Sequence, residues 1–526
     1  MTPSDLAHSP APGARSEALE LPADLPRLVN SVIWPGFVGT TVPAWLDGAL
    51  HNGLAGVVYF AHNIDPDAPG QVAALSAAIR TANPSAVVGV DEEGGNVTRL
   101  QARDGSTIPG AAVLGALNDL PTTTAAGRAI GRLCRAAGVN LTIAPVADVN
   151  TNPLNPVIGV RAFGTATALV STHTAAAVAG IQELCVGACA KHFPGHGDTV
   201  ADSHMDIARV ELSMAQMREH HLPPFQAAVD AGVAAMMSAH IIIPELGEAP
   251  ATLNPRAGAL LRELGFEGLL ITDALDMAAV RATVGPGEGA VLALLAGADL
   301  LCVGNPLNAY TTGRDDESCY TEVYDALYDA VSSGRLPVEV LRVAAARVEK
   351  FARWSLGAPS PAAAGLADAD AALDWVSVAA RACRIDQGAG AVAFADSDAV
   401  VTLIDARTGH NMAAGPTENF IASALMDAHE VNAVRASELS SEGLTDLADT
   451  EESLGEPVLV IVDSLMSAEQ QATLAAVAAV APHAVCINAG LVPEAGTPSG
   501  TALTTIHTHG FSRVTAEAVV RLLETV

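Results

Sequence analysis

The feature that most constrains the fold of this chain is a regular alternation of short apolar runs with alanine-rich stretches of helical periodicity. The apolar runs predict eight strands, at 32–38, 55–60, 86–90, 139–144, 187–190, 233–237, 269–272 and 299–303. The stretches between them predict helices at 67–81, 122–137, 168–184, 214–231, 256–264 and 288–295. Eight strand-then-helix units over about 320 residues predict an α/β fold whose first part is a parallel (β/α)8 TIM-like barrel.

Unusual polar residues follow these predicted strands. Asp91 comes after the third strand, Asp148 after the fourth, Lys191 and His192 after the fifth, and Asp273 after the seventh. In a parallel barrel the C-terminal ends of the strands meet at one mouth, which carries the active site. A doubly wound sheet would instead collect its ligands at a single switch point. The pattern therefore predicts a functional site at the mouth of the barrel.

Changes in composition divide the chain into further parts. Residues 1–26 are predicted to be a disordered lead-in, 27–355 the barrel, and the Pro-, Ala-, Gly- and Ser-rich segment 356–371 a linker. Strand candidates at 400–404, 431–434, 458–462, 484–487 and 502–506 and a last helix at 512–523 predict a smaller α/β sandwich domain over 372–526. A run beginning at Gly388 has the spacing of a nucleotide-binding turn, but no buried strand precedes it, which argues against a cofactor.

The charge balance argues against several classes of partner. With 58 acidic residues, 27 Lys and Arg and a net charge of −31, the chain has little basic surface for nucleic acid or an anionic membrane. The most apolar run, 290–304, contains Asp299 and is shorter than the roughly 20 residues of a membrane-spanning helix. Seven cysteines without CxxC spacing favour free thiols, and residues 1–26 lack a secretory pattern. We therefore expect a cytoplasmic protein.

The densest group of reactive side chains lies between residues 191 and 204. It contains Lys191, His192, His196, Asp202 and His204 together with proline and glycine, which predicts a loop after the fifth strand. Asp202 stands two residues before His204. A carboxylate beside an imidazole raises its basicity and fixes its tautomer, so this pair is suited to general acid and base chemistry.

Other charged residues lie in segments bounded by strands, glycine or proline. Asp273 ends a buried run, where a carboxylate can attack an electrophilic carbon or, more simply, cap the next helix. Asp91 and Arg99 flank an acidic, glycine-containing turn, and Arg161 lies in the proline- and glycine-rich loop 155–164. Carboxylates accept hydrogen bonds from hydroxyl groups and guanidinium groups donate them. These residues suit a polyhydroxylated ligand, although an acidic turn is the simpler interpretation of 91–95 alone.

Four motifs occur in order along the chain. They are Asp-x-Glu-Gly-Gly-x-Val-x-Arg-Leu at 91–100, Asn-Pro-Val-Ile-Gly-x-Arg-x-Phe-Gly at 155–164, Lys-His-Phe-Pro-Gly-His-Gly-Asp at 191–198 with Asp-Ser-His at 202–204, and Thr-Asp-Ala-Leu-x-Met at 272–277. Together they resemble glycoside hydrolase family 3, and more narrowly its bacterial β-N-acetylglucosaminidases. The resemblance covers about residues 30 to 355.

This resemblance implies a retaining enzyme that releases terminal β-linked N-acetylglucosamine by double displacement, without a cofactor or metal. It implies that Asp273 is the nucleophile and that His204, polarised by Asp202, is the acid/base. The residues it implies as sugar-holding positions are Asp91, Arg99, Arg161, Lys191 and His192.

Several alternatives stay open at this point. A metallohydrolase could use the histidines and acids of 192–204 as ligands, although Pro194 and Gly195 prevent a shared helical face. An inactive sugar-binding protein would have no need of Asp273 or the Asp202–His204 pair. A β-glucosidase of the same family would differ only in the sugar that it accepts. A phosphorylase is a further alternative, because a histidine repels inorganic phosphate less than a carboxylate acid/base would.

Overall fold

The computed structural model describes residues 21–200, 208–308, 314–388, 400–407, 418–439, 456–492 and 500–525. Most of the predicted lead-in 1–26 lies outside these ranges, and its last two residues belong to the helix Leu25–Asn30. In the described part, each of the eight predicted barrel strands is present. Their bounds are Ile33–Pro35 (β1), Gly56–Tyr59 (β2), Val87–Val90 (β3), Leu141–Thr142 (β4), Gly187–Phe193 (β5), Ala235–Ser238 (β6), Leu269–Thr272 (β7) and Leu301–Gly304 (β8).

The barrel strands follow one another in chain order around a curled parallel sheet. Within the described residues, β2 to β7 form one six-stranded sheet, and β1 pairs with β8. Thr272 N donates to Leu300 O at 3.0 Å, which joins β7 to β8, and Ala55 N donates to Asn30 O at 3.0 Å between the approaches to β2 and β1. The predicted class, an α/β barrel followed by an α/β sandwich, is confirmed.

Side chains alternate between two buried layers along each strand, as the two-residue period of a strand requires. One layer packs against the surrounding helices, and the other fills the barrel interior. Trp34 is fully buried in the interior, where its Nε1 donates to Val87 O at 2.9 Å. A Cβ at position 89 would lie 2.0 Å from the Trp34 ring, so Gly89 is required there. Phe351 of the helix Val338–Ser355 belongs to the same interior cluster and closes one end.

Helices surround the sheet as the alternation predicts. The predicted helix 214–231 is divided into Met214–Gln216, a π-helical turn Met217–His221 and Pro223–Asp230, because Pro223 has no backbone N–H to continue the helix. Within the described residues, no helix is long and apolar enough to cross a membrane. The other helices of the barrel part are Ala44–His51, Gln71–Ala82, Ala111–Leu117, Leu120–Ala136, Thr167–Gln182, Pro255–Glu263, Ala278–Arg281, Pro286–Leu295 and Asp316–Ser332.

The segment 356–371, predicted as a linker, is partly helical. Residues Pro361–Ala371 form a helix whose N-cap, Ser360, accepts a hydrogen bond from Ala363 N. Asp370 in this helix accepts from Arg128 Nε of the barrel helix Leu120–Ala136 at 2.5 Å. Both side chains of that ion pair are about nine-tenths buried. The connection therefore contains a helix that packs against the barrel, and its assignment as the linker between two domains stays a prediction.

The second part of the chain, which follows the helix Pro361–Ala371, contains a six-stranded sheet within the described residues. Its strands lie side by side in the order Arg384–Asp386 (β9), Thr504–His507 (β14), Val485–Asn488 (β13), Val458–Val462 (β12), Val401–Asp405 (β10) and Val431–Arg435 (β11). The five predicted strands are present and parallel, and a further antiparallel strand, β9, lies at the edge. The nucleotide-binding spacing after Gly388 falls mostly outside the described residues. The helices of this part are Trp375–Ala382, Phe420–Met426, Ala468–Val480 and Arg513–Thr525.

Asp299 accepts hydrogen bonds from one strand and two helices of the barrel, and its removal should destabilise the fold. Its carboxylate accepts from Arg262 at 2.7 Å, Arg347 at 2.8 Å and Leu270 N at 2.9 Å, and the residue is 1% exposed. Asp299→Ala leaves these donors without their acceptor, so we expect the free energy of unfolding to fall by about 3 kcal/mol in urea titrations. Arg353→Ala, which breaks an exposed ion pair with Glu349, is the control and should cost less than about 0.5 kcal/mol. Equal losses in the two variants would contradict this.

Candidate active site

A buried cluster of four charged side chains lies at the barrel mouth. Lys191 Nζ at the end of β5 lies 2.7 Å from Asp91 Oδ1 and 2.7 Å from Glu93 Oε1. Arg161 donates to the same Glu93 through Nε at 3.0 Å and through its NH2 group at 2.8 Å. We call Asp91, Glu93, Arg161 and Lys191 the charged cluster. It brings together three of the predicted sugar-holding residues and adds Glu93, which the sequence did not single out.

The ionisation of the charged cluster follows from its pairing. Burial by itself would raise the pKa of Glu93, but Arg161 and Lys191 outweigh it and hold that pKa well below its usual range. Burial would likewise lower the pKa of Lys191, yet Asp91 and Glu93 raise it. The side chains of Lys191, Arg161 and Glu93 are 3%, 4% and 7% exposed, whereas Asp91 is 21% exposed. Asp91 is therefore the member of the cluster that is most open to a ligand.

A short hairpin directly after β3 carries Glu93, and Asp91 lies between β3 and this hairpin. Its strands are Glu92–Gly94 and Val97–Thr98, joined by Gly95 and Asn96. Gly94 and Gly95 have φ angles of 78° and 59°. A Cβ on residue 95 would lie 2.5 Å from the Cα of Gly110, so the close approach requires glycine. Alternation along the strand separates Glu93 from its neighbour Glu92, which is buried away from Lys191 and Arg161.

Glu92 is held by the backbone that follows the hairpin. Its Oε2 accepts from Arg99 N and Leu100 N, both at 3.1 Å, and the residue is 0% exposed. Burial raises the pKa of Glu92 to about 7, and the hydrogen bonds, including one from Thr98, only partly offset this. Arg99 thus lies at the base of the hairpin beside Glu92. Its role as a sugar-binding residue stays a prediction.

A second network surrounds His192. Asp148, which follows β4 and is fully buried, accepts from His196 N at 2.7 Å and lies 2.7 Å from His192 Nδ1. Burial alone would raise the pKa of Asp148, but His192 and His196 lower it. An ionised Asp148 accepts the Nδ1 proton of His192, which leaves Nε2 as the ring nitrogen available to a ligand. Asp148 therefore positions His192, although the sequence pointed to it only by its place after a strand.

The loop 155–164 and the histidine loop are joined by Asn155. Its Oδ1 accepts from Val157 N and Ile158 N at 2.9 Å each, and its Nδ2 donates to His196 O at 2.8 Å. Arg161, on the same loop, also donates to Val157 O at 3.0 Å. Burial lowers the pKa of His196 to about 4, so its ring is neutral at pH 7. His196 thus belongs to the packing of the loop.

Asp273 lies directly after β7, on the same mouth. Its backbone N donates to Ser238 O at 3.1 Å, and its Oδ1 accepts from Ala274 N at 2.8 Å. The following helix, Ala278–Arg281, is preceded by Met277 at its N-cap, so Asp273 does not cap it. Its charge raises the pKa of His196, which shows that the two lie within electrostatic range. The capping alternative is therefore wrong, and the carboxylate of Asp273 lies at the barrel mouth.

Asp202 and His204 lie outside the described residues. The chain before them is fixed, since Thr199 Oγ1 is hydrogen-bonded to His196 Nδ1 at 2.9 Å. The chain after them, Ala208–Arg209, pairs with Ile241–Ile242 beyond β6. Within the described part of the chain, no group of three or more His, Cys, Asp or Glu residues is arranged to hold a metal ion.

Residues 44–351 match the family model described as Glycosyl hydrolase family 3 N terminal domain. A β-hexosaminidase of Stenotrophomonas maltophilia is 37% identical over 285 residues, which are 52% of this chain and 82% of the relative. A solved family 3 β-N-acetylglucosaminidase from Paenibacillus superposes with a TM-score of 0.81 at 27% identity, covering 96% of both chains. A β-N-acetylhexosaminidase structure from Beutenbergia cavernae gives a TM-score of 0.56 at 27% identity, covering 62% of this chain and 98% of the other.

The pKa of Glu92 gives a testable pH dependence. The folded-state pKa of about 7 exceeds the reference value of 4.5. Between these two pH values the folded state still binds a proton on Glu92 that the unfolded state has lost. The free energy of unfolding therefore falls as the pH rises from about 4.5 to about 7. Glu92→Gln mimics the protonated carboxyl. We expect wild type and variant to be similarly stable near pH 4.5, and wild type to be less stable by about 3 kcal/mol at pH 8.

Urea unfolding at several pH values measures this difference. Glu349→Gln changes an exposed glutamate and is the control, with little expected dependence on pH. A stability difference between Glu92→Gln and wild type that is constant from pH 4.5 to pH 8 would contradict the prediction.

Proposed function

The chain belongs to glycosyl hydrolase family 3, and on that basis we propose that it is a retaining exo-β-N-acetylglucosaminidase. The observation that carries the proposal is the arrangement at the barrel mouth. There the charged cluster, His192 and Asp273 all lie at or after the C-terminal ends of strands of the same parallel barrel. Hydrogen-bonding groups that are held rigidly around one carboxylate suit a sugar ring whose anomeric carbon is attacked from one side.

In the proposed reaction Asp273 attacks the anomeric carbon and forms a covalent glycosyl-enzyme. His204, polarised by Asp202, gives its proton to the departing glycosidic oxygen. Water then attacks the same carbon, loses a proton to His204 and releases the sugar with its β configuration. General acid/base assistance of this kind contributes about 10²–10⁴-fold to the rate.

The sugar would be held by the charged cluster, Arg99 and His192. Asp91 is the most open acid and would accept from hydroxyl groups, while Lys191 and Arg161 would donate. Asp148 would keep His192 in a fixed orientation toward the ring. The natural substrates that we propose are muropeptides or fragments derived from chitin. The seven cysteines are all unpaired in the structure, which supports action in the reducing cytoplasm.

The proposal is tested with the aryl β-glycosides of N-acetylglucosamine and of glucose. We expect wild type to cleave the N-acetylglucosaminide with the higher kcat/KM. Asp273→Ala should lower kcat by about 10³-fold or more and still bind N-acetylglucosamine in calorimetry. Asp47→Ala, on the outer helix Ala44–His51, is the control with wild-type kinetics. Faster cleavage of the glucoside would indicate a β-glucosidase, and failure of wild type to cleave either would indicate a sugar-binding protein.

The acceptor in the second step distinguishes a hydrolase from a phosphorylase. We propose water, and expect free N-acetylglucosamine as the product in both phosphate and phosphate-free buffer, at equal rates. Mass spectrometry of the released sugar measures this directly. Formation of N-acetylglucosamine 1-phosphate, with a rate that rises with the phosphate concentration, would contradict hydrolysis.

A further inference from the structure

The second part of the chain contacts the hairpin that carries Glu93 of the charged cluster. Phe511 N, in the loop between β14 and the last helix, donates to Asn96 Oδ1 at 2.7 Å. Asn96 lies at the turn of the hairpin, three residues after Glu93. Val514 N donates to Ser106 O at 3.2 Å on the chain that follows the hairpin. Two hydrogen bonds therefore connect the second part to the region of the site.

The loop that makes these contacts is itself held in place. The Arg407 guanidinium lies 3.6 Å from the centre of the Phe511 ring. Val514 is buried in the same core cluster as the barrel helices, together with Trp375 of the second part. A Cβ on residue 105 would lie 2.8 Å from the Cβ of Arg513, so the two parts approach closely beside Ser106. The second part therefore offers a fixed donor to Asn96.

Displacement of the hairpin would move Glu93 and thereby change its contacts with the proposed sugar-holding residues. This residue receives Arg161 and Lys191 on its two carboxylate oxygens, so movement of its backbone changes both contacts. A cavity between the two parts is lined by Glu93, Arg161 and Asn96 on one side and by His509 on the other. Gly95 N also restrains the turn by donating to Ile108 O at 2.8 Å, so the hydrogen bond to Asn96 is the restraint that comes from the second part.

We propose that Asn96 is a positioning residue, through which the second part of the chain holds the hairpin and thereby the sugar-binding charged cluster. The inference rests on the proposed function. It gives the α/β sandwich a role in substrate affinity without placing one of its side chains on the reacting atoms. Asp273, Asp202 and His204 belong to other segments of the chain, so binding should change more than the chemical step.

The test compares Asn96→Ala with Asn96→Asp in the full chain, on the aryl N-acetylglucosaminide. Asn96→Ala removes the acceptor, so we expect KM to rise by about threefold to tenfold, which is the size of one hydrogen bond, while kcat changes less than about twofold. Asn96→Asp retains a side-chain oxygen at the same position and should restore KM to near the wild-type value. Recovery of KM in Asn96→Asp would show that the lost hydrogen bond raised KM in Asn96→Ala, and that a general loss of packing did not.

Arg132→Ala is the matched control, because it breaks an exposed ion pair with Asp368 at another contact between the barrel and the following helix. It should leave KM and kcat at wild-type values. The inference is overturned if Asn96→Ala has the KM of wild type, or if Asn96→Asp is as impaired as Asn96→Ala. Failure of the proposed function is distinguishable, since wild type itself would then be inactive on this substrate.

Discussion

The site depends on the burial of one carboxylate, Glu93. Taking an ionised carboxylate out of water costs several kcal/mol, and only close cations with good geometry offset this. Arg161 supplies that compensation from the loop after β4 and Lys191 from β5 itself, whereas Glu93 comes from the hairpin after β3. The pairing therefore fixes three consecutive segments of the barrel mouth relative to one another. The proposed sugar-binding residues are positioned by this arrangement.

The same pairing balances the charges within the cluster. Asp91 and Glu93 carry two negative charges, and Arg161 and Lys191 carry two positive charges, so the charged cluster is formally neutral. In the proposed mechanism, positive charge that develops on the sugar ring in the transition state is stabilised by Asp273, since the cluster carries no net charge. Fixed groups of this kind need no reorganisation during the reaction, which makes their electrostatic effect larger than in water.

The barrel could be predicted because its strands are buried on both faces and read as continuous apolar runs. The polar residues after those runs, such as Asp91, Lys191 and Asp273, could be predicted for the same reason. The helix Pro361–Ala371 was missed because its alanine, proline and glycine content suggested a linker, although Ser360 followed by Pro361 is a helix-start signal. The contact of Asn96 with Phe511 joins residues 415 positions apart and has no local signal at all.

Glu92 and Glu93 show why local composition did not identify the centre of the site. The two residues are chemically identical and adjacent, but a strand directs them to opposite sides. Glu93 meets two cations and has a lowered pKa, while Glu92 meets backbone N–H groups in an apolar environment and has a raised one. The hairpin that sets this alternation was not predicted, because its strands, Glu92–Gly94 and Val97–Thr98, are short and rich in polar residues and glycine. Which glutamate supports the sugar site is therefore decided by the tertiary fold.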